Sequence, residues 1–133
     1  MNKNFELYFE NPLNIGNLDN YNYCILLGSP LEGALIKLQI LVNKQEVVDV
    51  KYKAYGALAI ALMSWYTQAI KGKSFLDIKN LELQNLEKDF EITPIKMNNL
   101  FLLKQIHADW IKKIIDSNLN LKESYATNKR RKI

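Results

Sequence analysis

One cysteine and one histidine in 133 residues exclude more functions than any motif suggests. A zinc site wants about four ligands drawn from Cys, His and carboxylates. An iron–sulfur cluster usually takes four thiolates or close substitutes. Cys24 and His107 furnish neither set, so no metal site is expected. Cys24 lies in an apolar stretch, where a small inert thiol is the common case, and His107 sits between Ile106 and Ala108 with no other Cys or His nearby. A lone cysteine forms no intrachain disulfide, which points to a reducing cytoplasm or an organelle matrix. A single histidine, with no serine in a nucleophile-elbow pattern, leaves little for nucleophilic catalysis. Lys71-Gly72-Lys73-Ser74 ends in the letters of a phosphate loop but lacks the upstream glycine and the preceding strand. Glu82 and Glu87 suit solvated helix faces better than acid–base work. The expectation is a protein that is not an enzyme.

Long hydrophobic runs are also missing. The opening MNKNFELYFENPLN has no apolar stretch that would act as a signal peptide. The longest uncharged segment, ALAIALMSWYTQAI at 57–70, falls short of the ~20 residues a membrane span needs. It reads instead as a helix buried on nearly every side. Excess charge is scarce too. The net +4 is carried by Lys129, Arg130, Arg131 and Lys132, since the other 14 basic residues balance the 14 acidic ones. A nucleic-acid face should spread over a folded surface, so NKRRKI reads as a solvated, frayed terminus. The division expected is a domain over 1–117 and a polar basic tail over 118–133, with nucleic acid and membrane both unlikely partners.

What is present is periodicity. Asn4 to Glu10 suits a short helix stopped by Asn11-Pro12. Tyr23 to Leu27 suits a buried strand. Ile36, Leu38, Ile40 and Val42 alternate with Lys37 and Gln39, and Val48, Val50, Tyr52 and Ala54 alternate with Asp49, Lys51 and Lys53. The polar stretch 43–46 between them is of hairpin length, which predicts an antiparallel pair. Ser74 with Asp77 reads as an N-cap with an acidic first turn. Leu81 to Phe90 is a further helical piece, interrupted by Thr93-Pro94. Leu103, Ile106, Trp110 and Ile114 recur at helical spacing, and Asp109 and Lys113 are placed to pair across one turn. Strands followed by segregated helices predict an α+β fold, a three-stranded mostly antiparallel sheet packed against several helices.

The order of segments resembles the U-type iron–sulfur cluster assembly scaffolds, the IscU and NifU N-terminal family. YFENPLNIGNLDN (8–20), GSPLEGALIKLQILVN (28–43), VVDVKYKAYG (47–56), IKGKSFLDIKN (70–80) and EITPIKMNN (91–99) carry the likeness, in the family's order over roughly residues 5–117. The resemblance implies an IscU/NifU-N-like fold. It also implies cluster-ligand positions, here held by Glu32 and Ala34 (a cysteine and an aspartate in the family), Ala57 (a cysteine, or its neighbour) and Asn98 with Asn99 (a polar residue, then a cysteine).

All three family thiolates are absent, so no cluster, zinc or other cofactor is expected. Oxygen and amide donors hold iron–sulfur cores and zinc far less well than thiolate, and no cysteine remains there to accept persulfide sulfur. Glu32 reads as a solvated loop carboxylate, Asn98 and Asn99 as caps of the last helix. Ile92, Thr93, Pro94, Ile95 and Lys96 match the family's Leu-Pro-Pro-Val-Lys segment, which implies an exposed, extended recognition site for a specialised Hsp70 chaperone. The function expected is a degenerate scaffold, a non-catalytic partner or regulator in cluster biogenesis that contacts a cysteine desulfurase or that chaperone. The alternatives are an atypical carrier, using Glu32 with partner-supplied ligands or Cys24 across a dimer, or a fold repurposed as an unrelated interaction module.

Overall fold

The computed structural model describes the backbone of residues 2–131 and the side chains of residues 2–117. Helix α1 (Lys3–Glu10) starts at Asn2, whose side chain accepts from the Phe5 amide, and ends at Asn11 before Pro12. Strands β1 (Tyr23–Ser29), β2 (Ala34–Asn43) and β3 (Glu46–Tyr55) follow, then helices α2 (Ala57–Ile70), α3 (Phe75–Lys79), α4 (Leu86–Asp89) and α5 (Met97–Arg131). The sheet order is β1-β2-β3 with both pairs antiparallel, the α+β arrangement expected. Ser74 caps α3 by accepting from the Asp77 amide, also as expected.

The β2–β3 hairpin is tighter than the polar stretch suggested. Asn43 pairs with Glu46, leaving only Lys44 and Gln45 in the turn. Both have positive φ, 51° and 64°, as a two-residue turn matching the strand twist requires. Just beyond it the register slips, with Val42 opposite Val47 but Leu41 opposite Asp49. Val48 is therefore the extra residue of a bulge. It is 52% exposed and Val47 is buried, so the expected inward Val48 is corrected to Val47.

The core lies on one face of the sheet. Ile36, Leu38, Ile40, Val50 and Tyr52 point into it, against α2 and against Leu103, Ile106, Trp110 and Ile114 of α5. Only Ala57 and Gln68 of α2 are exposed, which is why that helix needs no polar face. Residues 14–16 run along the free edge of β3, where Asn14 and Gly16 bond the backbone of Tyr52 at 3.0 and 2.8 Å. From there the chain passes over part of the other face, and the Leu18 amide donates to Gln39 Oε1 at 2.8 Å. That cover explains a buried glutamine on an outward position.

Other expectations are revised. β1 is an edge strand, with Ile25 buried but Cys24 and Leu26 exposed, because an apolar run does not say whether a second neighbour will cover it. Of Leu81–Phe90 only Leu86–Asp89 is helical; Leu83, Leu86 and Phe90 still reach the core. Glu82 and Glu87 are exposed. Asp109 accepts from Gln105 at 2.8 Å instead of pairing with Lys113; the ion pair among the described residues is Lys71–Asp49 at 3.3 Å. Helix α5 continues to Arg131 through the segment expected to fray, which contains neither proline nor glycine to stop it. No helix among the described residues is long and apolar enough to cross a membrane.

Candidate functional site

Three segments meet at one end of the sheet. Ser29 accepts from the Glu32 amide and Gly33, at φ 84°, closes the short turn between β1 and β2. Gly56, between β3 and α2, packs so closely that a Cβ there would lie 2.7 Å from the Gly33 carbonyl. Asn98, in the first turn of α5, donates its side-chain amide to the Glu32 carbonyl. The residues expected at the ligand positions are thus gathered, 66 residues of sequence separating the two ends of that last bond.

Their chemistry does not follow their placement. Glu32 and Ala57 are exposed, whereas Ala34 is fully buried. Asn98 and Asn99 do not cap α5, because the helix already begins at Met97. Asn99 instead donates to the Lys96 carbonyl and to Asn98 Oδ1, both at 3.1 Å. Among the described residues no three His, Cys, Asp or Glu side chains converge to hold a metal ion. Cys24 is exposed on β1, five residues before Ser29 along the strand, or roughly 17 Å at 3.4 Å per residue. One free carboxylate, two methyls and two committed amides do not fit an iron–sulfur cluster or zinc.

Two hollows flank this end. One of about 590 Å³ is lined by Glu32, Asn98, Phe101, Leu102 and Gln105. The other, about 300 Å³, lies between Phe5, Ala57, Phe90 and the segment Ile92–Lys96. In that segment Ile92 is anchored in the core, while Thr93, Pro94, Ile95 and Lys96 are exposed, Ile95 by 88%. Its backbone is not extended as expected. Pro94 opens a 3-10 turn through Lys96, and the Lys96 amide bonds the Thr93 carbonyl at 2.9 Å. Proline favours that first position because its φ is preset and it has no amide to satisfy.

A polar network that the sequence reading missed joins α2 to α5. Trp110 Nε1 donates to the Tyr66 hydroxyl at 2.7 Å, and that hydroxyl lies 2.6 Å from His107 Nδ1. The hydroxyl thus joins the indole and the imidazole, and the direction of its bond with Nδ1 follows the tautomer of His107. Burial pushes the Tyr66 pKa far up and lowers that of His107. The unfolded chain, with an ordinary histidine pKa of 6.5, takes up the proton first as pH falls. Stability is therefore full above 6.5 and drops as pH falls through the folded-state pKa. Urea midpoints measured between neutral and mildly acidic pH should show this loss, and His107→Gln should reduce it. An equal acid dependence in both proteins would rule His107 out as its source.

A short antiparallel sheet with helices on one face and three loops gathered at one end defines an α+β domain. The chain belongs to the NifU-like N terminal domain family, which it matches over residues 2–114. It is 38% identical over 96 residues to "Iron-sulfur cluster assembly scaffold protein IscU" of Rickettsia prowazekii, covering 68% of this chain and 73% of that one. To the protein of the same name from Escherichia coli K12 it is 33% identical over 96 residues, covering 68% and 75%. Its fold is similar to the crystal structure of a nitrogen-fixing NifU-like protein (N-terminal) from Brucella abortus, with TM-score 0.57, 18% identity and 74% of each chain covered.

Proposed function

We propose that this protein is a scaffold-type member of iron–sulfur cluster biogenesis that no longer assembles clusters and acts as a non-catalytic partner or regulator. One observation carries the reading. The three family ligand segments are brought together at one end of the sheet, yet they present Glu32, Ala34, Ala57, Asn98 and Asn99. The relatives named as assembly scaffolds supply the process; the donor set argues against the chemistry. Its partners, by the same resemblance, are a cysteine desulfurase and an Hsp70-type chaperone, the latter at Thr93–Lys96, whose exposed apolar tip is Ile95.

The direct test is anaerobic incubation of the isolated chain with ferrous iron and sulfide, followed by desalting. The expected result is no retained iron and no visible charge-transfer absorption. Stoichiometric retention of both elements would overturn the reading. Pull-down with the tagged protein addresses the partner half, where recovery of an Hsp70-type chaperone lost on Ile95→Asp would support contact at that turn.

A further inference from the structure

The two edges of the sheet are finished differently. Along the outer side of β3, Tyr52 exchanges backbone bonds with Asn14 and Gly16 at 3.0 and 2.8 Å, and Val47 with Lys73 and Gly72 at 3.0 and 2.8 Å. The outer side of β1 has no such cover among the described residues. Sheet edges are ordinarily blunted by charge, proline, a bulge or shortness. The run Tyr23–Leu27, YCILL, has neither charge nor proline, and its register against β2 is unbroken. Only beyond it, at Gly28 with φ 89°, does the backbone leave the extended region.

The ladder decides which groups of β1 stand open. Tyr52 spends both its N–H and its C=O on Asn14 and Gly16, so its pair with Leu38 is a non-hydrogen-bonded one. Leu38 therefore turns its N–H and C=O toward β1, where Ile25 is its partner. Alternation leaves the N–H and C=O of Cys24 and of Leu26 on the open side. Below this edge runs α5, which packs against β1. Its Leu102 comes so close to Gly28 that a Cβ there would meet it at 3.0 Å. With Phe101, which is 59% exposed, Leu102 lines the hollow of about 590 Å³.

We propose that the open edge of β1 is a site of strand addition. It takes an extended segment of a partner protein that pairs with the backbone of Cys24 and Leu26 and sets an apolar side chain against Phe101 and Leu102. Hydrogen-bond complementarity argues for this occupant, because two donors and two acceptors in a row fit an extended backbone. The hollow argues for an alternating apolar segment, since in strand addition the main chain gives affinity and pockets under alternate side chains give selectivity. A second copy of this chain fits less well. Strands paired edge to edge stand about 4.8 Å apart. Helix α5, packed under β1, would meet its twin at nearly that spacing, whereas packed helices need about 8–10 Å between axes. A segment with no helix beneath it meets no such obstacle. The pairing uses no side chain at the ligand positions, so it stands or falls separately from the function proposed above.

Fluorescence anisotropy of the full chain tests the idea with a labelled peptide alternating threonine with valine and phenylalanine. Two N-methylated forms of that peptide, each blocking the amides along one of its edges, serve as comparison probes. The parent peptide should bind saturably, one N-methylated form should bind like it, and the other at least about tenfold more weakly. Leu26→Pro should weaken binding at least about tenfold relative to Leu26→Ala, because proline there removes an open N–H and no ladder bond. Phe101→Ser should weaken it as well. Leu26→Pro should keep its fold by circular dichroism, whereas Ile25→Pro, which breaks the ladder, should lower Tm sharply. Absence of saturable binding, equal binding of both N-methylated forms, or unchanged affinity in Leu26→Pro would overturn the proposal. A Leu26→Pro chain as damaged as Ile25→Pro would place the Leu26 N–H inside the ladder and overturn it too. Dimers of the parent chain that Leu26→Pro dissolves would do the same, in favour of a second copy.

Discussion

Trp110→Ala should leave the chain about 3–5 kcal/mol less stable, the range for removing a large buried aromatic side chain. Trp110 is fully buried at the centre of α5, and its indole nitrogen supplies the bond that orients Tyr66. Truncation removes the packing and leaves the Tyr66 hydroxyl short of a donor in the interior, where burial of unpaired polar groups is unfavourable. Domains of this size have ~5–15 kcal/mol in all, so the variant would sit near its folding threshold. Urea denaturation followed by circular dichroism measures the difference. Tyr66→Phe separates the two contributions, since it keeps the ring and deletes the hydroxyl, and about 1–2 kcal/mol is expected from lost hydrogen bonding. A loss under ~1 kcal/mol in Trp110→Ala would mean that α5 is not fastened to α2 through this residue.

The second large effect is a gain. The triple variant Glu32→Cys, Ala57→Cys, Asn99→Cys should bind about one zinc ion per chain, where the parent binds none that survives a chelating column. The expectation follows from the gathered loops and from thiolate's affinity for zinc. Position 57 is preferred over 56 on structural grounds. Gly56 has φ 105°, and a Cβ there would meet the Gly33 carbonyl at 2.7 Å, whereas Ala57 already carries a Cβ and is exposed. Ala34 is left unchanged because it is fully buried, and an aspartate there would place a carboxylate in the core. Competition against a chromophoric chelator gives the affinity, and the matching triple serine variant controls for structural disturbance. Zinc taken up equally by the parent would refute the view that donor chemistry is what this end of the molecule lacks.

Much of the fold was legible because periodicity reports burial. The uncharged run 57–70 had to be enclosed, and Leu103, Ile106, Trp110 and Ile114 could share only one stripe of a helix. The hairpin was legible for the same reason, but its bulge was not. Val47 and Val48 are adjacent valines, and either satisfies an alternating pattern until the Lys44–Gln45 turn sets the register. β1 was misjudged because covering a strand is a property of its neighbours, not of its own letters. The site was legible only through family likeness. Composition alone excluded chemistry without locating the place where it was missing. The Glu32–Asn98 bond and the Tyr66–His107–Trp110 network each link residues far apart in sequence, and no local pattern announces either. A histidine and a tyrosine standing on otherwise apolar helical faces were the one available hint.

The exposed position of Cys24 has a practical consequence. As the only thiol in the chain, it accepts a maleimide dye at one defined point without any substitution. It projects from the same outward side of β1 as Leu26, two residues away and about 7 Å along the strand. A fluorophore there would stand on the outward side of the sheet and well away from Glu32. Molecules arriving at the sheet and molecules arriving at the loops would then alter its emission by different amounts. The native sequence already contains the reporter needed to tell the two apart.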